Sequence, residues 1–464
     1  MSTTRILSLI VVSTFFVFSG TAQRVLTLKE AVETAVNNYG SIKAKKNYAL
    51  ASKTLIEQAK KDYLPNLNVG LQQTFGTVNG QNGPLYGFGG LAVGSSGLPL
   101  PDQNWNAAFG ALYLTNINWD FYAFGKAKQR IKVAETVAER DNKDLQQEIF
   151  QQQVRVTSVY LNLLAAHQIS ISYQRNLERT DTLRRIVQTR ALNGLVAGVD
   201  SSLANADYSN AKITLTRAID AEQQLKNELI QLLGTGISVD DIRVDSSMLL
   251  KIPLVEPIVA DSSKHPLLQL FASRIAVTNE QARLTKKLYY PAFTLVSVLQ
   301  TRASGFDNSY ATNQDHFTKN YFTGIKATRT NYLFGVGVTW NLTQILRLSK
   351  QYEAQQLVAK GQTDEFNLVN QQIKLQQQLA ETKTQNAVSV FKEAPIQVRA
   401  ASDAFLQKTV LYRNGLTNLV DVTQAAYTLV RAETDRDVAI NNLWQALLLK
   451  AAAAGDFSIF ERQL

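Results

Sequence analysis

Tyr412-Arg-Asn-Gly415-Leu-Thr-Asn-Leu-Val-Asp421 joins two long stretches of helical periodicity, and the chain carries a second version of it. Asn193-Gly194-Leu-Val-Ala-Gly-Val-Asp200 lies 221 residues earlier in the same setting. The same offset relates Trp119 to Trp340, Asn193-Gly194 to Asn414-Gly415, Asp200 to Asp421 and Gly234 to Gly455. A register held for more than 100 residues without an insertion implies two copies of one unit joined head to tail.

Asn-Gly punctuates a helix end, because glycine takes the left-handed backbone conformation cheaply. Asp200 and Asp421 then fall where the next helix starts, a place that capping and the helix dipole favour for a carboxylate. The local reading is a pair of helical-hairpin turns.

The chain has 464 residues, no cysteine, three histidines and 24 glycines. Its length alone would suggest two or three soluble domains. In residues 1–22, Arg5 precedes the apolar run Ile6–Phe18, and Gly20-Thr-Ala22 offers small residues for cleavage before Gln23. This reads as a secretory signal peptide. The run is too short to span a bilayer, and no later segment approaches 18 uninterrupted apolar residues, so a helical membrane protein is not expected. Without cysteine there is neither a disulfide framework nor an acylated N-terminal Cys. The net charge of +10 falls to +9 when Arg5 leaves, and it is spread along helical faces, so nucleic acid is not expected as a partner.

Leu26–Leu64 reads as one helix that opens with the capping box Thr27-Leu-Lys-Glu30 and stops at Tyr63-Leu64-Pro65. The period then changes to two, and strands are expected at 67–76 and 108–121, separated by a Gly-, Asn- and Pro-rich loop at 77–106. From Ala127 a narrow, Ala-rich apolar seam continues for about 70 residues, which at ~1.5 Å per residue makes a helix roughly 100 Å long. A second helix returns from the Asn193–Asp200 turn to Leu233. An irregular connector follows, and the plan repeats. A helix ends at Tyr289-Tyr290-Pro291, at an offset of 226 from its first copy. Strands are expected at 292–301 and 332–342 around a polar loop at 302–330. A helix from Gln344 to Tyr412, broken near Pro395, leads to the second turn and to a last helix ending at Ala454-Gly455. The resulting division is 1–22 signal peptide, 23–236 first repeat, 237–262 connector, 263–455 second repeat and 456–464 tail.

Four strands of about ten residues have the length that crosses an outer membrane at a tilt. They carry aromatic ends at Trp119, Phe121, Tyr289, Tyr290, Tyr332 and Trp340. Four strands cannot close a barrel, and an open edge in lipid leaves backbone groups unpaired. Either the strands form an ordinary soluble sheet or several chains pool them. The long hairpins likewise bury a narrow seam only against neighbours, and a ring of subunits answers both needs.

Thr27-Leu-Lys-Glu-Ala-Val, Tyr63-Leu-Pro65, Asn193–Asp200 and Tyr412–Val422 resemble the TolC family of outer-membrane efflux proteins, over essentially all of residues 26–455. The resemblance implies a mixed, mainly α fold: a homotrimer whose twelve-stranded β-barrel, four strands per protomer, sits in outer-membrane lipid and continues as a long periplasmic α-helical barrel. It implies a passive exit duct of a tripartite efflux or secretion system, docked by a periplasmic adaptor and an inner-membrane transporter, with no cofactor. Asp421 matches the aspartate that narrows the pore gate, and Gln424 stands where a second gate aspartate is found. Tyr412 and Asp200 match a closed-state link between hairpins, while the arginine of a second link is Thr417 here. Gly194, Leu195, Gly415 and Leu416 match tip residues that meet the adaptor. Three copies of Asp421 in a narrow pore would attract cations and raise at least one of their pKa values.

An enzyme finds little support. His167, His265 and His316 are isolated, with no HExxH spacing and no Cys partner, so a metal site is not expected. Gly87-Phe-Gly89-Gly90 lacks the GK[ST] ending of a phosphate loop, and GxSxG does not occur. Two other classes remain: a duct for protein secretion, which nothing in the sequence separates from drug efflux, and a periplasmic helical adaptor without a pore. The four strands with aromatic ends argue against the adaptor.

Overall fold

A computed structural model describes residues 24–80, 97–236, 238–239, 242–251, 253 and 262–464. The signal peptide at 1–22, residues 81–96 of the first loop and much of the 237–262 connector lie outside the described residues. Among the described residues no helix is long and apolar enough to cross a membrane.

The chain runs β1 (Arg24–Leu26), α1 (Leu28–Asn38), α2 (Gly40–Lys61), β2 (Asn66–Thr77), β3 (Ala107–Tyr122), α3 (Lys126–Leu192) and α4 (Gly198–Leu233). It continues with β4 (Ile242–Val244), α5 (Pro266–Lys287), β5 (Ala292–Ser304), α6 (Tyr321–Ile325), β6 (Arg329–Thr339), α7 (Gln344–Arg413), α8 (Leu419–Ala454) and α9 (Ser458–Glu461). These fall into two compact units. One holds the described residues of 24–47, 142–271 and 365–464, and the other holds those of 48–141 and 272–364. Helices α2, α3, α5 and α7 contribute residues to both.

The second unit is organised on one antiparallel sheet in the order β2-β3-β5-β6. Its strands have 12, 16, 13 and 11 residues: β2, β3 and β5 are longer than the expected 67–76, 108–121 and 292–301, and β6 has the expected eleven but starts three residues earlier. The register puts like with like, since paired residues share a face. Val69 faces Thr115, Thr115 faces Leu299, and Leu299 faces Tyr332. One face therefore carries Leu67, Val69, Leu71, Phe75, Phe109, Tyr113, Ile117, Leu295, Leu299, Phe334, Val336 and Val338. The other face is mixed: Asn66, Asn68, Gln72, Asn116, Asn118, Asp120, Gln300, Arg302 and Asn331 share it with Leu112, Leu114, Val296, Val298 and Leu333. At one end, Trp119 Nε1 donates to Tyr63 O (2.8 Å) and Trp340 Nε1 to Tyr289 O (3.0 Å). Trp340 stands just beyond β6, which ends at Thr339 and not at Leu342 as expected.

The first unit has its core around β1, which pairs in parallel with β4. Tyr160, fully buried on α3, donates to Leu26 O (2.7 Å) and accepts from Asp245 N (3.1 Å), so one hydroxyl ties both short strands to the helix. Leu163 and Leu164 of α3, Leu229 and Leu233 of α4, Trp444 and Leu448 of α8 and Phe460 of α9 complete this cluster.

Three local expectations differ from what forms. The capping box is present, with Glu30 N donating to Thr27 Oγ1 (3.3 Å) and Thr27 N to Glu30 Oε2 (3.4 Å). The helix behind it nevertheless breaks at Tyr39, whose ψ is 126°. The turn at Gly234 packs there so closely that a Cβ on it would stand 2.9 Å from Asn38 O. A close approach between distant segments thus sets the break. Helix α7 runs without interruption through Pro395. Proline removes one helical donor, and 70 residues of surrounding helix and packing absorb that loss. The connector, read as irregular, contains β4 and a 3₁₀ turn at Ser246–Leu250, since three-residue strands have no visible alternation.

The α3–α4 pair is clasped by Glu222, whose carboxylate meets His167 Nδ1 (3.1 Å), Ser170 Oγ (2.9 Å) and Lys226 Nζ (3.0 Å). These bonds, that from His167 foremost, pull its pKa down to about 2. A depressed carboxylate pKa contributes stability that is complete above the unfolded value, ~4.3, and is lost as pH falls toward 2. Glu222→Gln should therefore cost about 1–3 kcal/mol at pH 7 and almost nothing at pH 2, as read by thermal melts across that range. Equal losses at both pH values would show that the clasp is not electrostatic.

Candidate gate at the hairpin ends

Both hairpin turns close as the Asn-Gly signal demands. Gly194 has φ 69° and Gly415 φ 76°. Leu195 N donates to Arg190 O (2.9 Å) and Gly194 N to Ala191 O (3.0 Å), while Leu416 N donates to Leu411 O (2.9 Å) and Gly415 N to Tyr412 O (3.0 Å). Each turn satisfies carbonyls that the helix end leaves without partners. Leu195 and Leu416 stand exposed at 66% and 72%, and no added Cβ at Gly194 would meet a neighbour within 4 Å, so both tips are open surface.

The two following helices start differently. Asn418 caps α8, its side chain accepting from Asp421 N (2.9 Å). Ala197 stands at the same place before α4 and gives no side-chain cap. Asp200 and Asp421 both lie in the first turn, where the dipole favours them, and neither is the cap residue.

Asp421 is engaged within its own hairpin. Its Oδ2 accepts from Lys408 Nζ (2.8 Å) and Thr417 Oγ1 (2.7 Å). The Lys408 ammonium, then Thr417, hold its carboxyl below the usual range. Within one protomer this is the reverse of the rise expected from like charges. Thr417, where the resemblance places an arginine, instead supports the aspartate. Gln424, one turn on, is exposed.

The expected hydrogen bond between Tyr412 and Asp200 does not form. The Tyr412 hydroxyl is buried without a hydrogen-bond partner, and its pKa is raised first by burial and then by the nearby Asp200 charge. Its ring, 3% exposed, packs with Leu183, Val187, Ala204, Leu419 and Val422, so all four helices meet around it. Desolvation of the ring won over the polar contact.

Arg190, which the sequence did not single out, makes the polar link nearest the tips of the two hairpins. From the last turn of α3 its Nη1 donates to Tyr412 O (2.7 Å) and Arg413 O (3.0 Å), capping the end of α7, and its guanidinium lies 5.2 Å from the Tyr412 ring centroid. Two more links continue along the helices. Tyr427 Oη donates to Asp207 Oδ1 (2.9 Å), and Arg179 makes a two-pronged pair with Glu433 (2.9 and 2.5 Å). Such partners lie more than 200 residues apart, and no spacing announces them. Lys408 is the exception: it is reflected onto Asp421 across the Asn414–Asn418 turn, as hairpin geometry requires.

The chain matches no family sequence model and no curated protein. Solved structures share its fold. The outer-membrane protein VceC of Vibrio cholerae superposes with a TM-score of 0.73 at 16% identity, covering 92% of this chain and 96% of that one. The outer-membrane channel OprN gives 0.72 at 15%, covering 92% and 89%. The MtrE outer-membrane channel of Neisseria gonorrhoeae, solved in its open state, gives 0.72 at 15%, covering 92% and 89%. The chain therefore has the fold of these outer-membrane channels.

Proposed function

We propose that this chain is a TolC-family outer-membrane channel, the passive exit duct of a tripartite efflux system. The observation that carries the reading is the sheet: one face mainly apolar, the opposite face holding most of the Asn, Gln, Asp and Arg side chains, and two edges, β2 and β6, unpaired among the described residues. An apolar face suits lipid and a polar face suits an aqueous lumen, but the edges need partners. Pairing β6 of one copy with β2 of the next, three times over, closes a twelve-stranded barrel.

Helix α7 supports the same assembly. Leu346, Leu357, Leu368, Leu379 and Val390 recur every eleventh residue and are each more than half exposed. Eleven residues make three turns of about 3.67, so the five lie on one face, an apolar stripe that a neighbouring copy would cover. The chain reads as two copies of one unit. α2 and α5 have 22 residues each, α4 and α8 have 36 each, and the Trp119–Tyr63 bond has its counterpart in Trp340–Tyr289.

In this reading the hairpin ends form the periplasmic gate, and Leu195 and Leu416 offer apolar tips to a periplasmic adaptor that brings an inner-membrane transporter. Arg190 holds the two hairpins together in the closed gate. Asp421 lines the gate with its charge offset by Lys408, so a ring of three would select cations weakly. Purified protein in planar bilayers should conduct, and light scattering corrected for detergent should give three protomers. Arg190→Gln should raise the single-channel conductance, because each copy loses charge-assisted bonds of about 1.5–3 kcal/mol. Tyr412→Phe should leave conductance as it is, since its hydroxyl bonds nothing. A monomer without conductance overturns the channel, and a conducting trimer that ignores Arg190→Gln overturns only the link.

A further inference from the structure

Residues 305–328 join β5 to β6 and fold back over that end of the sheet. Gly305 N donates to Phe109 O and Thr318 N to Gly305 O, both at 2.8 Å, so the segment extends the ladder. Phe306, Tyr310 and Phe317 pack together, with ring centroids 4.6 Å apart between Phe306 and Tyr310 and Tyr310 buried at 4%. The stretch expected to be only a polar loop thus has a small core of its own. It ends in α6, Tyr-Phe-Thr-Gly-Ile.

Helix α6 lies on the apolar face of the sheet. Tyr321 Oη donates to Gln73 Oε1 (2.8 Å), and the Tyr321 ring meets Phe109 edge-on at 5.1 Å. Tyr113 Oη donates to Ile325 O (2.8 Å). A Cβ on Gly324 would lie 2.6 Å from the Phe109 Cβ, so glycine is what lets the helix sit so low. Gln73, Phe109 and Tyr113 all share the face of Val69 and Leu299. The outward side of α6 shows Phe322, 77% exposed, between the exposed Lys319 and Lys326.

The level of α6 is informative. From Phe109 to Trp119 is ten strand steps of about 3.3 Å, or roughly 33 Å along β3. A tilt of about 40° reduces this to roughly 25 Å, the height of the apolar band between two aromatic girdles. Trp119 marks the end from which the helices leave, so Phe109, Tyr321 and Phe322 mark the other boundary. Aromatic rings flanked by lysines match the headgroup region, where anionic phosphates attract cations.

We propose that α6 is a lipid anchor at the outer face of the membrane. Tyr321 and Phe322 lie at the boundary between acyl chains and headgroups, and Lys319 and Lys326 bind phosphate-bearing lipid headgroups. The proposal rests on the membrane-barrel reading of the sheet. It adds to that reading a lipid contact made by a loop helix in place of a strand.

The chain has no cysteine, so single-cysteine labelling is clean. Full-length Phe322→Cys and Leu299→Cys, each carrying an environment-sensitive fluorophore, would be reconstituted in phosphatidylcholine–phosphatidylglycerol vesicles. The label at 322 should be quenched more by headgroup nitroxides than by deep acyl-chain nitroxides, and the label at 299 in the reverse order. Quenching at 299 without quenching at 322 overturns the anchor alone. Absence of quenching at both overturns the barrel as well. The Lys319→Gln/Lys326→Gln double variant should retain phosphatidylglycerol about tenfold or more less well relative to phosphatidylcholine after detergent extraction. Equal retention by parent and double variant overturns the headgroup contact.

Discussion

Val336→Arg is expected to cut the yield of membrane-assembled protein sharply, while Leu333→Arg on the same strand is tolerated. Both residues are apolar and exposed in the single chain, at 60% and 62%. The register separates them: Val336 pairs with Leu295 on the apolar face, and Leu333 pairs with Val298 on the other. Val336 stands four strand steps from Trp340, about 13 Å along the strand or roughly 10 Å in height, close to the middle of a ~25 Å band. In the proposed trimeric barrel an arginine facing lipid there costs about 2–4 kcal/mol in each of three protomers. Leu333 would face water in the lumen, where an arginine stays hydrated. Membrane fractionation and the trimer band on unheated gels read the outcome. Wild-type yield from Val336→Arg, or equal damage from both variants, would sink the assignment of faces.

Gly455→Ala should be far more damaging than Gly415→Ala. Gly455 and Gly415 share the left-handed conformation, with φ 73° and 76°. Any L-residue there pays about 1–2 kcal/mol of backbone strain. At Gly415 that is nearly all, because the nearest atom to an added Cβ is the mobile Arg190 guanidinium at 3.9 Å. At Gly455 the Cβ would stand 2.8 Å from His265 Cα and Cδ2. His265 cannot retreat. It is 5% exposed, its Nδ1 accepts from Leu267 N (3.2 Å), and its Nε2–H therefore donates to Ala452 O (3.2 Å). Overpacking adds about 1–3 kcal/mol, for a total of roughly 2–5 kcal/mol. Chemical unfolding of Gly455→Ala, Gly415→Ala and the parent measures the difference. Equal losses at the two glycines would mean that His265 gives way.

The register around Val336 and the seat of Gly455 separate features written in local pattern from features that long-range packing sets. The helices α3, α4, α7 and α8, the four long strands, the capping box at Thr27 and the glycine turns at 194 and 415 were legible. Each is written in neighbours a few residues apart, in periods of 3.6 or two, and backbone geometry follows from that local pattern. Equal spacing of the turns likewise carries the reading of a repeated plan. The break at Tyr39, the strand β4, the helix α6 on the apolar face and the tight seat of Gly455 were not legible. Each depends on which distant segment arrives beside it. The same holds at the hairpin ends. Asp421, Tyr412 and Asp200 were found by position, but their partners were not: Lys408 takes the Asp421 carboxylate, apolar packing takes Tyr412, and Arg190 takes the link between hairpins. An ion pair or a buried ring is selected by competition among all groups within reach in three dimensions. A one-dimensional spacing holds the candidates for that competition, and only the packed chain holds its result.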